Sequence, residues 1–458
     1  MSESLTKTGN TWRRWILAVA RHTAAARIHR RQVFPVFVSD SLIQSPCGSV
    51  LPSPPWWCKQ ALHSKAIIRM RSGARITQEM CAPACGNAPL MTETAIAATG
   101  LATPLATLLA SAAKPPRLAE YRGALTPREL DAPEAETAAL VSGAAAHDLG
   151  WLRRVAVRGE DRFRWLSGMV TNTVNDLGHN TGAWNLVLNA QGRIQGDLTV
   201  WRDGDTLDLE IAADQFDRLL AHLDHFIIMD DVELVRPDKS TAETVLGLTG
   251  PESGEVLERM GLPVLAEPMT GTRVEWNGLN LRILRGYGTL APHYELWTPV
   301  AGLARLWRTL TTAGASPVGT AALEAFRIAE GIPAYGIDMA ERDLPQETSQ
   351  MRALNFNKGC YLGQEIVERI RSRGNVHRHL RGLELEGPVP EAGTELTQDG
   401  AVAGQMTSAA ELKLGAGRNR IFALGMMRGE AELRNQPMTY TAGTATGTAR
   451  ILAGPPNL

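Results

Sequence analysis

The chain has 458 residues, 44% of them hydrophobic and 21% charged, with a net charge of −1 and five cysteines. That length holds two or three domains with full cores, and the composition is that of a soluble globular protein, which excludes collagen-like, low-complexity and disulfide-scaffold classes. The near-zero charge conceals an asymmetry: residues 1–90 hold 12 Lys and Arg against 3 Asp and Glu, so they carry +9 and leave −10 for the remainder. An acidic body without a basic stripe excludes direct nucleic-acid binding.

Four cysteines, Cys47, Cys58, Cys81 and Cys85, lie in the first 90 residues, and Cys360 is alone after them. A single thiol in so long a body implies no disulfide framework and a reducing, cytoplasmic setting. The N-terminal segment mixes turn formers with tryptophans, as in "SPCGSVLPSPPWWCKQ", and carries no sustained apolar period. It reads as a disordered or non-native extension, with Met91 as an alternative start. A basic, acid-poor targeting segment is a second reading. A metal site is a third, although only "CAPAC" has close spacing and no histidine completes it. Residues 94–113 form a 20-residue run without charge. It is long enough to span a bilayer but rich in Ala and Thr and broken by Gly100 and Pro104. Leu101, Leu105, Leu108 and Leu109 fall at helical spacing, which predicts a short helix docked on a domain rather than a membrane span.

Regular structure is expected from Trp151. "WLRRVAVRGEDRFRWLSGMVTNTVNDL" reads as strand, capping turn and helix, and "NLVLNAQGRIQGDLTVW" as two strands about a turn. In the second strand Arg193, Gln195, Asp197 and Thr199 share one face, and Ile194, Gly196, Leu198 and Val200 the other. "DQFDRLLAHLDHF" predicts a helix capped by Asp214. Another strand, turn and helix follow in "TVLGLTGPESGEVLERMG", then strands "LRILRGYG" and "HYELWTP" and a helix through "LARLWRTLTTAG". No repeat of note is visible. Strands and helices alternate without parallel-sheet regularity, so the class is α+β. After Arg378, short strands between Gly, Pro and Asp turns predict a small all-β domain, barrel or sandwich. The chain thus divides into an extension over 1–113, a core over 114–376 and a C-terminal β domain over 377–458.

Phosphate-loop, dinucleotide, HExxH and paired-CxxC patterns are missing from the sequence. His222 with His225, and His377 with His379, are spaced for a metal but lack a third ligand, so no metal site is expected. The stretch "NFNKGCYLGQEIVERIRSRG" is different. Gly359 and Gly363 let the backbone bend tightly, and Leu362, Ile366, Val367 and Ile370 begin a helical pattern directly afterwards. Cys360 is therefore expected at or just before a helix N-terminus, whose positive end favours the thiolate, with Lys358 acting in the same direction. The bland reading is a small residue buried behind a turn. A Cys–His–Asn hydrolase would need a histidine at the sulfur, and the sequence places none there.

"KGCYLGQE", Lys358 to Glu365, resembles the K-G-C-Y-x-G-Q-E motif of the YgfZ family. Those are folate-binding proteins with the fold of the glycine-cleavage aminomethyltransferase, and they assist iron–sulfur protein assembly or repair. "GEDRFRWLSGMVTNTVNDL", "GRIQGDLTVW", "LTGPES", "EAFRIAEGIPAYGIDMAERDLPQE" and "GTELTQDGAVAGQMTSA" are similar to family stretches in the same order, so the resemblance covers about residues 140 to 450. It implies a GcvT-like core that binds tetrahydrofolate or a one-carbon derivative non-covalently near Asp197, Arg327 and Glu330. It further implies a reactive Cys360 within Lys358, Gly359, Tyr361, Gly363, Gln364 and Glu365, and iron–sulfur client or assembly proteins as partners. Tyr361 is expected to stack or donate a hydrogen bond, and Gln364 and Glu365 to fix the loop through first-turn amides.

Three positions depart from the aminomethyltransferase pattern. A paired Asp-Asp becomes Gly196-Asp197, and the acid of Arg-x-Glu-Ala-Gly is displaced by one to Glu330. The early Glu of Gly-Tyr-Thr-Gly-Glu is missing from "GYGTLAPHYE". The expected protein is thus a non-enzymatic, or at most weakly catalytic, tetrahydrofolate binder that supports iron–sulfur enzymes. A folate-dependent aminomethyltransferase is the alternative, and a binding module for another ligand is a third reading.

Overall fold

The computed structural model describes residues 101–237, 242–374, 376–415, 417–434 and 436–458. The expectations for residues 1–90 lie outside that range. The first described element, α1 (Pro104–Leu109), starts on a Thr103 cap whose hydroxyl accepts the Ala106 amide at 3.1 Å, with Pro104 in the first turn. Leu105 is sealed in the core and Leu108 and Leu109 pack against it, whereas Leu101 is 83% exposed. The helix docks as its spacing predicted. The expected boundary at 113/114 therefore falls inside the folded body.

A hairpin follows, β1 (Leu118–Tyr121) and β2 (Ala124–Pro127), then α2 (Pro133–Ser142) and β3 (Ala145–Asp148). From here one succession of elements occurs twice. The first pass is β4 (Leu152–Arg158), α3 (Arg162–Met169), β5 (Thr181–Leu188), β6 (Ile194–Asp203), β7 (Thr206–Ala212), α4 (Phe216–Asp224) and β8 (Glu233–Val235). The second is β9 (Glu243–Thr249), α5 (Ser253–Arg259), β10 (Thr270–Trp276), β11 (Leu279–Arg285), β12 (His293–Pro299), α6 (Leu303–Thr312) and β13 (Ser316–Val318). The sheet has eleven strands in the order β13-β3-β9-β12-β11-β10-β5-β6-β7-β4-β8. Its two halves meet through one registered pair, Thr270 with Thr181. The reading of no repeat is corrected by this order: the duplication lies in the succession of elements, and β3 is inserted into only one half.

Helix α7 (Thr320–Glu330) leads into a long loop and α8 (Gln364–Arg373). The C-terminal part is a closed six-stranded barrel of β14 (Arg378–Glu386), β15 (Glu395–Gln398), β16 (Ala401–Lys413), β17 (Asn419–Arg428), β18 (Met438–Ala442) and β19 (Ala445–Ile451), with α9 (Gly429–Arg434) between β17 and β18. The expected β domain is thus a barrel, and β18 and α9 are additions to it. The class is α+β. Among the described residues no helix is long and apolar enough to cross a membrane.

α7 is buried on two sides. Ala325, Ile328 and Ala329 join Leu380, Leu412, Phe422 and Leu424 of the barrel in one apolar cluster. Leu323, Phe326, Arg327 and Glu330 recur at the i, i+3, i+4, i+7 spacing of a single helix face and look into a cavity of the core. The one-residue displacement of the acid therefore does not remove it from the site: Ala329 faces the barrel and Glu330 the cavity.

Gly363 caps α8 at φ +82°, and a Cβ there would lie 2.6 Å from the Asn189 carbonyl oxygen. Gly363→Ala combines a left-handed conformation with a backbone clash, so it should destabilise by about 1–3 kcal/mol in chemical denaturation. An unchanged midpoint would show that the loop relaxes freely.

Candidate functional site

The cavity, of about 240 Å³, is walled by both halves of the sheet and closed by α7. Asp197 on β6, Arg327 and Glu330 on α7 all line it, so the three residues taken from the resemblance come together. Asp197 is fixed on both oxygens: Oδ2 accepts the Trp184 indole N–H at 2.9 Å, and Oδ1 accepts the Gln215 amide at 2.8 Å. Gln215 sits at the position that starts α4 and returns its own oxygen to the Asp197 amide at 3.1 Å. The expected Asp214 cap is not made. Asp214 instead pairs with Arg122 of the β1–β2 turn at 3.1 Å.

Arg327 lines the cavity with a guanidinium already engaged. It donates to Glu324 at 2.8 Å and to Asp338 at 2.7 Å, and these two carboxylates hold its pKa above the ordinary arginine value against the opposing effect of burial. Glu330 Oε1 accepts the amides of Thr289 at 2.9 Å and Leu290 at 3.0 Å. Burial nevertheless outweighs those bonds and pushes its carboxyl up to about 7.

Sequence reasoning missed the deepest part of the site. Glu210 on β7 and Glu295 on β12 lie at the cavity floor, each taking an indole N–H, from Trp201 at 3.2 Å and Trp297 at 3.0 Å. Burial, then the Glu295 carboxyl beside it, raise the Glu210 pKa well above its ordinary value. Next to them His293 Nδ1 meets the Thr249 hydroxyl at 2.7 Å, and burial keeps that imidazole neutral. The available signal was a charged residue inside a strand buried on both faces: β7 is buried at every position after Thr206. Arg352 was also missed. Its guanidinium lies between the rings of Tyr287, 3.7 Å from the centroid, and Trp184, at 4.5 Å.

Cys360 is a free, exposed thiol. It is not among the cavity-lining residues. Tyr361, Leu362 and Gly363 separate it from the first residue of α8, so the thiol precedes the first turn that the helix-terminus argument required. Lys358 is turned inward. Its ammonium donates to the carbonyls of Val170 at 2.8 Å and Asn172 at 2.6 Å, and burial pushes its pKa down to about 7. It straps the loop to the segment after α3 instead of serving as an open surface cation. Tyr361 is a core residue among Leu186, Leu188, Ile194 and Val367, and its buried hydroxyl has no partner among the described residues. Gln364 accepts the Tyr361 amide at 3.3 Å, while Glu365 is exposed in the first turn. Gly363 has the left-handed backbone; nothing crowds the Cβ position of Gly359. His222 meets the Leu188 carbonyl at 3.2 Å and His379 meets Glu432 at 3.0 Å, while His377 is exposed.

Residues 116–358 match the GCVT N-terminal domain family, and the chain belongs to it. It is 28% identical over 293 residues to a chloroplastic protein of Arabidopsis thaliana named "Putative transferase At1g60990", a span of 63% of this chain and 66% of that one. It is 29% identical over 302 residues to an aminomethyltransferase of Rubrobacter xylanophilus, covering 64% of this chain and 79% of the relative. The fold is that of the glycine cleavage system aminomethyltransferase T of Bartonella henselae, with a TM-score of 0.68 at 19% identity over 77% of this chain and 96% of that structure.

The raised Glu330 pKa fixes the sign of a pH effect. From 4.5 in the unfolded chain to about 7 in the folded one, the native state binds the proton more tightly. Stability from this group is therefore full below about pH 4.5 and lost as pH rises through about 7. Glu330→Gln keeps an acceptor for the two amides and removes that loss. The melting temperature of the variant should gain on the wild type between about pH 5 and about pH 8. A gap that does not change with pH refutes the assignment.

Proposed function

We propose that this protein binds tetrahydrofolate or a one-carbon derivative in the core cavity and, as a member of the YgfZ branch of its family, supports the assembly or repair of iron–sulfur proteins through Cys360. What supports the folate reading is one observation: Asp197 of β6, with Arg327 and Glu330 of α7, lines a single cavity walled by Trp151, Trp184 and Trp201. Indole faces suit a flat heterocycle, and fixed carboxylates suit its N–H edge. What supports the thiol reading is exposure: the motif loop is anchored by Tyr361, Lys358 and Gln364, and Cys360 is left facing solvent.

Cys360, the one cysteine among the described residues, cannot by itself hold a common cluster, which takes about four protein ligands. The cluster therefore belongs to a client, to which Cys360 contributes a single contact. Partners on this reading are iron–sulfur clients or assembly proteins, in a reducing, cytoplasmic compartment.

Titration with tetrahydrofolate should give saturable quenching of tryptophan fluorescence. Asp197→Ala should weaken binding about tenfold or more, the loss expected of a charge-assisted hydrogen bond. No saturable binding by the wild type ends the folate reading. Cys360→Ala should bind folate as the wild type does and fail to restore iron–sulfur enzyme activity in cells lacking the protein. Full restoration would remove the thiol from the function. The similarity to aminomethyltransferases supports a second reading, transfer of a methylene group from an aminomethyl-lipoyl carrier to tetrahydrofolate. Robust turnover in that assay would displace the first.

A further inference from the structure

Three arginines line the cavity, and the structure treats them differently. Arg122 is paired with Asp214, and Arg327 with Glu324 and Asp338. Arg352 makes one side-chain hydrogen bond among the described residues, from Nε to the Gln350 oxygen at 3.1 Å. Among the described residues its terminal nitrogens meet no carboxylate, and its guanidinium carbon lies over the rings of Trp184 and Tyr287. An arginine stacked on two rings keeps its N–H edge fixed and available for an acceptor in that plane.

Position adds a direction. Tyr287 is 38% and Met351 53% exposed, so Arg352 stands at the solvent end of the cavity. Glu210, Glu295 and Trp201 are buried at the other end. The remaining acidic side chains of the lining, Asp197, Glu210, Glu295 and Glu330, offer an anion no positive charge to pair with. An anionic group on a bound molecule therefore has one lining arginine without a carboxylate partner among the described residues to meet, near the exit.

We infer that Arg352 is a specificity-determining residue that receives the carboxylate tail of the cavity ligand, fixing the molecule with its ring inward and its acidic end at the mouth. This rests on the folate reading and adds a claim about which part of the molecule the protein selects: the glutamyl tail as well as the ring. A carboxylate meets the two terminal nitrogens of a fixed guanidinium through charge-assisted bonds, and the flanking rings exclude water from one side of each.

The test compares tetrahydrofolate with tetrahydropteroate, which has the same ring system and no glutamate, on the full chain. The wild type should bind tetrahydrofolate about tenfold or more tightly than tetrahydropteroate, the size of a charged hydrogen bond. Arg352→Gln should erase that preference by losing about tenfold or more in tetrahydrofolate affinity and much less in tetrahydropteroate affinity, and its retained tetrahydropteroate binding shows that the variant is folded. Arg352→Lys should recover part of it, and rising salt should reduce the wild-type preference and not the variant's. Equal weakening of both ligands by Arg352→Gln, or a wild type that does not distinguish them, overturns the assignment. Failure of the wild type to bind either one overturns the folate reading itself and this inference with it.

Discussion

The structure turns on one buried carboxylate. Asp338 has no solvent exposure, and a charge so placed destabilises the fold by several kcal/mol unless its oxygens are matched. They are. Oδ2 accepts Arg327 at 2.7 Å and the Ala334 amide at 3.0 Å, while Oδ1 accepts the hydroxyls of Thr407 and Ser408, both at 2.6 Å. Those partners come from α7, from the loop after it and from barrel strand β16. One side chain thus ties the cavity-closing helix to the barrel, and the apolar cluster of Ala325, Ile328 and Ala329 with Phe422 and Leu424 fills the same junction. The barrel's contribution to the site is indirect: it holds α7 at the orientation that presents Leu323, Phe326, Arg327 and Glu330 to the cavity. A second set of ion pairs, Arg378 to Asp343 at 2.7 Å and to Glu347 at 2.9 Å, fixes the start of β14 against the loop that carries the motif.

The cavity's electrostatics follow from the same principle applied unevenly. Wherever a charge serves the fold, its partner is close: Arg154 and Arg282 share Asp208 at 2.6 Å each, behind the acidic floor. Where charges face the cavity, matching is incomplete. Glu210 and Glu295 are two acids side by side, and burial with the neighbouring carboxyl raises the Glu210 pKa. Glu330 is raised toward neutrality by burial despite two amide bonds. Incomplete compensation destabilises a folded protein slightly and leaves donors and acceptors for a ligand, which is the usual distinction between a site and a core.

Much of this was legible in the sequence, and the limits have physical causes. The α+β class, a short docked helix within 94–113 and a small β domain after Arg378, barrel or sandwich, follow from local periodicity; the structure puts the helix at 104–109 and closes the β domain into a barrel. Asp197, Arg327 and Glu330 were placed through the family resemblance, and all three line the cavity. What failed was non-local. Asp214 looks like a cap until Arg122, remote in sequence, pairs with it. Lys358 looks like a promoter of the thiolate until the carbonyls of Val170 and Asn172 draw its ammonium inward. Arg352, Glu210 and Glu295 carry no local pattern, because their significance comes from the elements that surround them. The duplication was hidden for a related reason: apolar alternation can persist through wide changes of residue identity, so two halves keep one element order with little shared sequence.

The exposed thiol and the cavity, though lined by different residues, are mounted on one short stretch of backbone. Asn172, just after α3, donates its side-chain amide to the carbonyls of Trp184 at 3.0 Å and Arg352 at 2.8 Å, both cavity residues. Its own carbonyl accepts Lys358 from the motif loop at 2.6 Å. Thr171 adds a hydroxyl bond to the Ala353 carbonyl at 2.7 Å and takes the Asn355 amide at 3.1 Å, and Gly168 takes the Leu362 amide at 2.9 Å. Residues 168–172 therefore act as a common mount, and the loop on either side of Cys360 is registered against the walls of the cavity. Polar groups buried in such a mount cannot shift singly, since each bond lost leaves a partner unsatisfied at a cost of about 1–3 kcal/mol. The cavity wall and the thiol loop thus share one residue, Asn172, whose side-chain amide holds Trp184 and Arg352 and whose carbonyl holds Lys358.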